Sequence, residues 1–205
     1  MTTQPPAIEF NEVEHSYKVN GRPVPGVTKL LQIIQTLEGI PWDVLEAARI
    51  FGTNVHRACH LENIGELDHA SLSPILRDYV RGYTMFLRDT RFAVLASELP
   101  VASPLHGFAG TLDLFGVLNQ AEAVIDIKST MILPFTVGPQ TAAYKEGLER
   151  TTGQKAKKRF CLMLGANRYR LVELTDPQDL TYFISCMNVV KLMQRCGKLG
   201  NVTPY

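Results

Sequence analysis

The chain has 205 residues, of which 45% are hydrophobic and 20% charged, with a formal net charge of +1. This is the composition of a globular domain with a real core, and the balanced charge excludes bulk electrostatic attraction to nucleic acid while leaving a local basic groove open. No apolar run reaches the length of a membrane span and the first residues lack a secretory segment, so we expect a cytoplasmic protein with no membrane partner.

The first elements are short extended runs on either side of Asn20-Gly21. An Asn-Gly pair strongly favours a two-residue hairpin turn. The segment KLLQIIQTL that follows is typical of a helix, and Thr28 just before it predicts an N-cap. We therefore expect a single domain over residues 1–205 that carries an N-terminal β-hairpin and helix extension at about 8–40.

A long helix is predicted next, from a capping pair at Asp43 and Glu46 to about Asn63. His56 and His60 lie four residues apart and share one face of this helix. The HExxH signature of zinc proteases is absent, because arginine follows His56. On the residues alone, a helical histidine is more often solvated or hydrogen-bonded than metal-bound.

Ser73-Pro74 predicts the start of another helix, whose aromatic residues we place in the core rather than against nucleobases. A strand from about Phe92 to Val101 follows. It carries Glu98, which on local pattern alone is an exposed edge glutamate.

Two runs rich in β-branched and aromatic residues, 107–118 and 123–129, predict a hairpin. A turn centred near Gln120 and Ala121 makes Asp113 face Lys128, and a two-residue slip puts it opposite Asp126 instead. In either register these three side chains share one face of the hairpin.

Two carboxylates and a lysine inside an apolar hairpin are costly to bury without a function. Close carboxylates repel, and Mg²⁺ is usually held by one or two of them plus waters and phosphate. Lys128 beside such an ion can orient or activate a nucleophile or stabilise phosphate charge. The alternative is a surface hairpin with a solvated Asp-Lys pair, which is the commoner case for the triplet Asp126-Ile127-Lys128 alone.

Gly138-Pro139 predicts a helix start, so that Gln140 and Tyr144 share a helical face. The basic run at 154–159 is a candidate for DNA-backbone contacts beside a phosphate site.

A second hairpin and a final helix after Asp176-Pro177 complete the order of elements. That order predicts an α/β fold with a mixed central sheet flanked by helices. The four cysteines have no zinc-like spacing, so we expect buried free thiols. They are Cys59, Cys161, Cys186 and Cys196.

The segments GTLD, IDIK and QTAAY, in this order, resemble the RecB-like branch of the PD-(D/E)XK nuclease superfamily, and in particular phage-type exonucleases similar to lambda exonuclease. The earlier segment GTNVH resembles the family segment that supplies an imidazole ligand to the metal. The resemblance implies a restriction-endonuclease-like core. The cysteines do not match the pattern of the iron–sulfur relatives.

The resemblance also implies roles for individual residues. Mg²⁺ or Mn²⁺ would be held by His56, Asp113, Asp126 and the carbonyl of Ile127, with Lys128 positioning or activating the attacking water. It further implies that Gln140 and Tyr144 support Lys128 and the DNA strand, and that Glu98 lies near the metal.

The function that follows is a metal-dependent deoxyribonuclease, acting as an exonuclease on DNA ends in phage recombination or repair. The resemblance implies DNA as partner, duplex ends or single strands, often beside a single-strand annealing recombinase in a host cytoplasm. A catalytically idle DNA-binding or assembly module on the same fold is the alternative. A small-molecule metallohydrolase is disfavoured because a second histidine-rich ligand set is missing. Exonuclease versus endonuclease action, cleavage polarity, strand preference, the physiological metal and oligomeric state stay open.

Overall fold

The computed structural model describes residues 5–12, 14–35 and 41–198 of the chain. Its elements form a small N-terminal sheet, a larger central sheet and helices on both faces of the latter. The strands are β1 (Ile8–Asn11), β2 (Ser16–Val19), β3 (Arg22–Val24), β4 (Ala93–Ser103), β5 (Phe108–Leu118), β6 (Ala121–Lys128), β7 (Lys158–Gly165) and β8 (Arg168–Glu173). The helices are α1 (Val27–Leu31), α2 (Trp42–Ile64), α3 (Pro74–Thr90), α4 (Val137–Thr152) and α5 (Asp179–Arg195), with a 3₁₀ turn at Gln32–Ile34.

The N-terminal sheet has three antiparallel strands in the order β1-β2-β3. The predicted turn at Asn20-Gly21 is confirmed, with φ angles of 51° and 73° that match the left-handed geometry of a two-residue hairpin turn. The run before that turn folds into two paired strands, because the chain reverses between Phe10 and Tyr17, which are cross-strand partners. Tyr17 and Val19 pack against the central sheet.

Two predicted helix caps are wrong. Thr28 lies inside α1, whose N-cap is Gly26, and no side chain caps this helix. The helix α2 begins after Pro41, and Glu46 bonds to Arg49 on the same helix rather than to the helix start. The helix predicted from KLLQIIQTL is α-helical only as far as Leu31, continues as the 3₁₀ turn Gln32–Ile34 and becomes extended at Gln35. Its last two residues, 36 and 37, lie outside the described part of the chain.

The prediction at Ser73-Pro74 is confirmed. Ser73 is the N-cap of α3, and its hydroxyl accepts a hydrogen bond of 3.3 Å from the Leu76 amide. The aromatic side chains of Tyr83 and Phe86 are fully buried, which confirms their placement in the core.

The central sheet has five strands in the order β4-β5-β6-β7-β8. Neighbours are antiparallel except β6 and β7, which are parallel and are connected through α4. This mixed sheet flanked by helices is the predicted α/β class and is consistent with a restriction-endonuclease-like core. None of the described helices is long and apolar enough to cross a membrane.

The core lies on both faces of the central sheet. Helices α1, α4 and α5 pack around Val101, Phe115 and Val124. Helices α2 and α3 pack against Leu114 and Ile125 on the opposite face. Helices therefore cover both faces of β5 and β6, the strands that carry the predicted acidic residues.

Cys59, Cys161 and Cys186 are buried free thiols, as expected. Cys196 is an exposed free thiol, so the expectation is wrong at that position. It is the C-cap residue of α5.

Candidate metal centre

The register of the β5–β6 hairpin sets the relation between the two aspartates. Asn119 and Gln120 form the turn, with φ angles of 48° and 65°, and the cross-strand pair farthest from the turn is Leu114 with Ile125. Continuing that register places Asp113 opposite Asp126, which is the slipped register rather than the one centred on Gln120 and Ala121. Asparagine tolerates the left-handed region better than alanine, which explains where the turn forms.

The carboxylate of Asp113 occupies the point where β5 and β6 stop pairing. Its Oδ2 accepts a hydrogen bond of 2.6 Å from the Ile127 amide. This contact uses a backbone donor of β6 that no longer has a partner on β5. The side chain of Asp113 is thereby fixed at the end of the hairpin, and it is 7% exposed.

Asp126 is the more unusual of the two acids, because it is fully buried. Its Oδ2 lies 2.8 Å from Lys128 Nζ as an ion pair. Neither of its oxygens has an aligned hydrogen bond from the residues that the structure describes. The Lys128 ammonium is therefore the charged partner of Oδ2, and the carboxylate retains lone pairs that can bind a further positive group.

His56, on helix α2, lies beside the carboxylate of Asp113. Its Nδ1 lies 3.3 Å from Asp113 Oδ1 and 3.9 Å from Glu98 Oε1. Ligand atoms of these three residues all lie within 4.8 Å of one another. Imidazole and carboxylates at such separations are a donor set that fits Mn²⁺ or Mg²⁺.

Glu98 reaches this cluster through an unusual backbone conformation. Its φ angle of 51° is in the left-handed region, in the middle of strand β4. Such a conformation costs on the order of 1–3 kcal/mol for a residue other than glycine, and it is concentrated at functional sites. The neighbouring Ser97 has its hydroxyl 2.7 Å from His60 Nδ1, which connects α2 to this part of β4.

The charges of the cluster perturb one another. Burial, with the charge of Asp113, raises the pKa of Glu98 to about 7. Burial also raises the pKa of Asp126 to about 6, although the Lys128 ammonium opposes this. Burial lowers the pKa of His56, but the charge and hydrogen bond of Asp113 outweigh it and bring this pKa to about 9.

Asp113 and Lys128 are shifted toward their charged forms. Burial disfavours the charge of each, but for Asp113 the nearby His56 and Lys128 outweigh burial, so its pKa is lowered. For Lys128 the charges of Asp126 and Asp113 outweigh burial, so its pKa is raised. The cluster therefore holds protons that a divalent cation could replace.

Helix α4 provides the support for Lys128. Lys128 Nζ donates a hydrogen bond of 3.1 Å to Gln140 Oε1, and Gln140 Nε2 donates one of 3.1 Å to the Tyr144 hydroxyl. Gln140 and Tyr144 are both buried. Because they are four residues apart, they share the face of α4 that contacts Lys128.

A cleft of about 410 Å³ is lined by His56, Glu98, Asp113, Lys128, Gln140 and Tyr144. Asp126 and Ile127 are buried and are not among its lining residues. Two further lining residues, His15 and Tyr17, come from the N-terminal sheet and have no counterpart among the predicted site residues. Alternation along β2 indicates that Tyr17 and Val19 share a buried face, but no sequence signal indicates that this face meets the cleft.

The basic run is distributed differently from the prediction. Lys158 begins β7 beside Ala123, whereas Lys128 ends β6 beside Met163. Five residues of strand, about 17 Å, therefore separate the two lysines. Three cations of the run are in ion pairs: Lys155 with Glu149, Lys158 with Glu173 and Arg159 with Asp179. The expectation of a basic run beside the phosphate site is wrong, because its charges stabilise the opposite end of the sheet.

No protein-family model and no curated protein matches the chain. Among solved structures, the chain is similar to an alkaline exonuclease, LHK-Exo from Laribacter hongkongensis, with a TM-score of 0.37 and 9% identity over 84% of this chain and 92% of that one. LHK-Exo in complex with dAMP gives a TM-score of 0.36 and 12% identity over 86% and 95% of the two chains. A protein named SSO0001 gives a TM-score of 0.35 and 16% identity over 75% of this chain and 77% of that one. These likenesses are too distant to assign a family, so the function proposed below rests on the residues of the site.

Proposed function

We propose that this chain is a metal-dependent deoxyribonuclease that hydrolyses phosphodiester bonds. The observation that carries the proposal is the cluster of His56, Glu98 and Asp113, whose ligand atoms all lie within 4.8 Å of one another. The fully buried Asp126 faces Asp113 and is paired with Lys128, which lines the same cleft. Three ligand groups this close together fit one hard divalent cation.

The proposed ligands of Mg²⁺ or Mn²⁺ are His56, Asp113, Asp126 and the carbonyl of Ile127. The donor set fits such an ion, because it combines hard carboxylate oxygens with one imidazole. Glu98 is proposed as an additional acidic group of the same centre, since its carboxylate lies close to His56. When bound, the ion would supply Lewis-acid polarisation of the phosphate and an acidified water.

The role proposed for Lys128 follows from its contacts. Its raised pKa keeps the ammonium protonated, so it acts as a hydrogen-bond donor and a positive charge rather than as a base. From its position it orients the attacking water and stabilises charge that develops on the phosphate. Gln140 fixes the direction of this ammonium, and Tyr144 fixes Gln140.

The finer proposal is an exonuclease of the RecB-like branch of the PD-(D/E)XK superfamily. The ordered segments GTNVH, GTLD, IDIK and QTAAY support it, because the side chains that they contribute converge on one cleft. Phage recombination or repair, with an annealing recombinase as partner, stays a prediction of the same resemblance. The single-domain organisation with its N-terminal extension is proposed with it.

The test is cleavage of linear and closed circular duplex DNA, each in Mg²⁺, Mn²⁺ or EDTA. An exonuclease degrades the linear form in the presence of metal and leaves the closed circle intact. Cleavage of the closed circle would show that the chain is an endonuclease rather than an exonuclease. Degradation in EDTA at the same rate would contradict the metal-dependent mechanism.

A further inference from the structure

The N-terminal sheet forms a wall of the cleft that the proposed mechanism does not use. His15 and Tyr17 line this cleft together with the residues of the metal centre. The Tyr17 hydroxyl lies 2.9 Å from Thr111 Oγ1, and Thr111 precedes Asp113 by two residues on β5. The sheet is thus attached directly to the strand that carries one of the acids.

His15 is held in place by aromatic neighbours. Its ring centroid lies 5.4 Å from that of Phe10 and 6.0 Å from that of Tyr17, with interplanar angles of 85° and 78°. Phe10 and Tyr17 are themselves stacked at 4.7 Å. The imidazole therefore has a defined orientation even though it lies at the surface.

The backbone of His15 has a left-handed conformation, with a φ angle of 49°, in the turn between β1 and β2. Histidine is one of the residues other than glycine that adopt this conformation more readily. Neither ring nitrogen has a hydrogen bond to the residues that the structure describes.

The chemistry of the ring differs from that of the metal centre. Burial by its neighbours lowers the pKa of His15, which favours the neutral imidazole. A neutral imidazole offers one donor, one acceptor and a flat aromatic ring. The charged oxygens of a phosphate bind more strongly to an ammonium such as that of Lys128. A neutral aromatic ring such as that of His15 instead suits a nucleoside, which has an aromatic base with polar edges.

We propose that His15 contacts the nucleoside next to the scissile phosphate, so that the N-terminal sheet is the nucleoside-binding wall of the cleft. This inference rests on the proposed function, because it takes DNA as the occupant. The cleft volume of about 410 Å³ is within the range of small-ligand sites.

The test uses two variants, His15→Asn and His15→Gly. Both remove the ring, and both residues tolerate the left-handed backbone, so the fold is retained and is checked by thermal melting. The control is His69→Asn, because His69 is an exposed histidine that pairs with Glu62 at 3.0 Å and does not line the cleft.

Binding of a labelled single-stranded oligonucleotide is measured by fluorescence anisotropy in Ca²⁺, and cleavage kinetics are measured in Mn²⁺. We expect roughly tenfold weaker binding and a roughly tenfold higher KM for both His15 variants, the loss typical of one stacking contact. The value of kcat and the half-saturating Mn²⁺ concentration stay unchanged, and His69→Asn behaves as the wild type.

Wild-type binding by both His15 variants would overturn the inference, whatever the cleavage assay gives. A raised Mn²⁺ requirement would also overturn it, because His15 would then support the metal centre through Tyr17. A wild-type chain that binds the oligonucleotide with the expected His15 dependence but never cleaves it would contradict the proposed hydrolysis and leave the nucleoside contact standing.

Discussion

The substitution Asp126→Asn distinguishes a metal ligand from a structural aspartate. Without metal, it should raise the free energy of unfolding if Asp126 is a metal ligand and lower it if Asp126 is structural. The buried carboxylate has a folded-state pKa of about 6, above its ordinary value of 3.8. The folded protein therefore holds this proton more tightly than the unfolded chain. The ionised group is destabilising above pH 6, and its penalty disappears as the pH falls below about 4.

The size of the effect follows from that shift. Two pKa units correspond to about 3 kcal/mol. At pH 8 without metal, Asp126→Asn should be more stable than the wild type by up to about 3 kcal/mol, or about 6–12 °C in Tm for a chain of this size. At pH 4 the difference should be close to zero. With Mn²⁺ the order should reverse, since only the wild type gains stability from the ion.

The matched control is Asp179→Asn. Asp179 is also a buried aspartate, but its Oδ2 accepts a hydrogen bond of 2.8 Å from Arg159. Its substitution removes the carboxylate paired with the Arg159 guanidinium, which keeps its hydrogen bonds to the carbonyls of Gly138 and Asp176. It should destabilise the protein by about 1–3 kcal/mol with or without metal. Thermal melting in EDTA and in Mn²⁺ at the two pH values measures all of these differences. If Asp126→Asn is destabilising in EDTA at pH 8, as Asp179→Asn is, then Asp126 is a structural residue and the reasoning is refuted.

Three further predictions concern the same centre. Lys128→Ala should slow single-turnover cleavage roughly 100- to 1000-fold while DNA binding by anisotropy is retained, since other phosphate contacts remain; a near wild-type rate would make Lys128 structural. His56→Ala should raise the metal concentration needed for cleavage, more for Mn²⁺ than for Mg²⁺, because transition ions accept nitrogen more readily; equal titrations for His56→Ala and the exposed control His69→Ala would remove His56 from the site. The metal-free protein should lose stability as pH rises from 5 to 9, because the folded-state pKa values of Asp126 (about 6), Glu98 (about 7) and His56 (about 9) all exceed their ordinary values; a Tm in EDTA that rises over this range would contradict those shifts.

The composition of the centre could be predicted because it depends on local rules. Alternation along a strand places Asp126 and Lys128 on one face whatever the rest of the fold does. Likewise, the four-residue spacing of Gln140 and Tyr144 requires only that the segment be helical. The Ser73 cap and the order of elements follow from equally local signals.

The hairpin register, the backbone conformation of Glu98 and the ion pairs of the basic run could not be predicted from the sequence, because they depend on contacts between distant segments. The hairpin register depends on two left-handed residues at Asn119 and Gln120, and polarity alone does not distinguish this turn from one shifted by a residue. The left-handed conformation of Glu98 has no local signal, because glutamate does not favour it. The ion pairs that neutralise the basic run join segments that only the folded sheet brings together.

His60 shares a helical face with His56 but is not a neutral control for it. Its Nδ1 lies 2.7 Å from the hydroxyl of Ser97, the residue before Glu98. A substitution there would disturb the strand that presents Glu98 to the cluster. His69, which pairs with Glu62 and lies outside the cleft, is the cleaner control.

The most direct test of the central claim is the single-turnover cleavage of an end-labelled linear duplex by the wild type and by Asp113→Asn, with Mn²⁺ and with EDTA. Asp113 is held at the meeting point of β5, β6 and α2, so its neutral analogue keeps the shape of the site but removes a charged ligand. The account predicts cleavage by the wild type in Mn²⁺ and none in EDTA or with Asp113→Asn. Cleavage by the wild type in EDTA, or by Asp113→Asn at the wild-type rate in Mn²⁺, would contradict it.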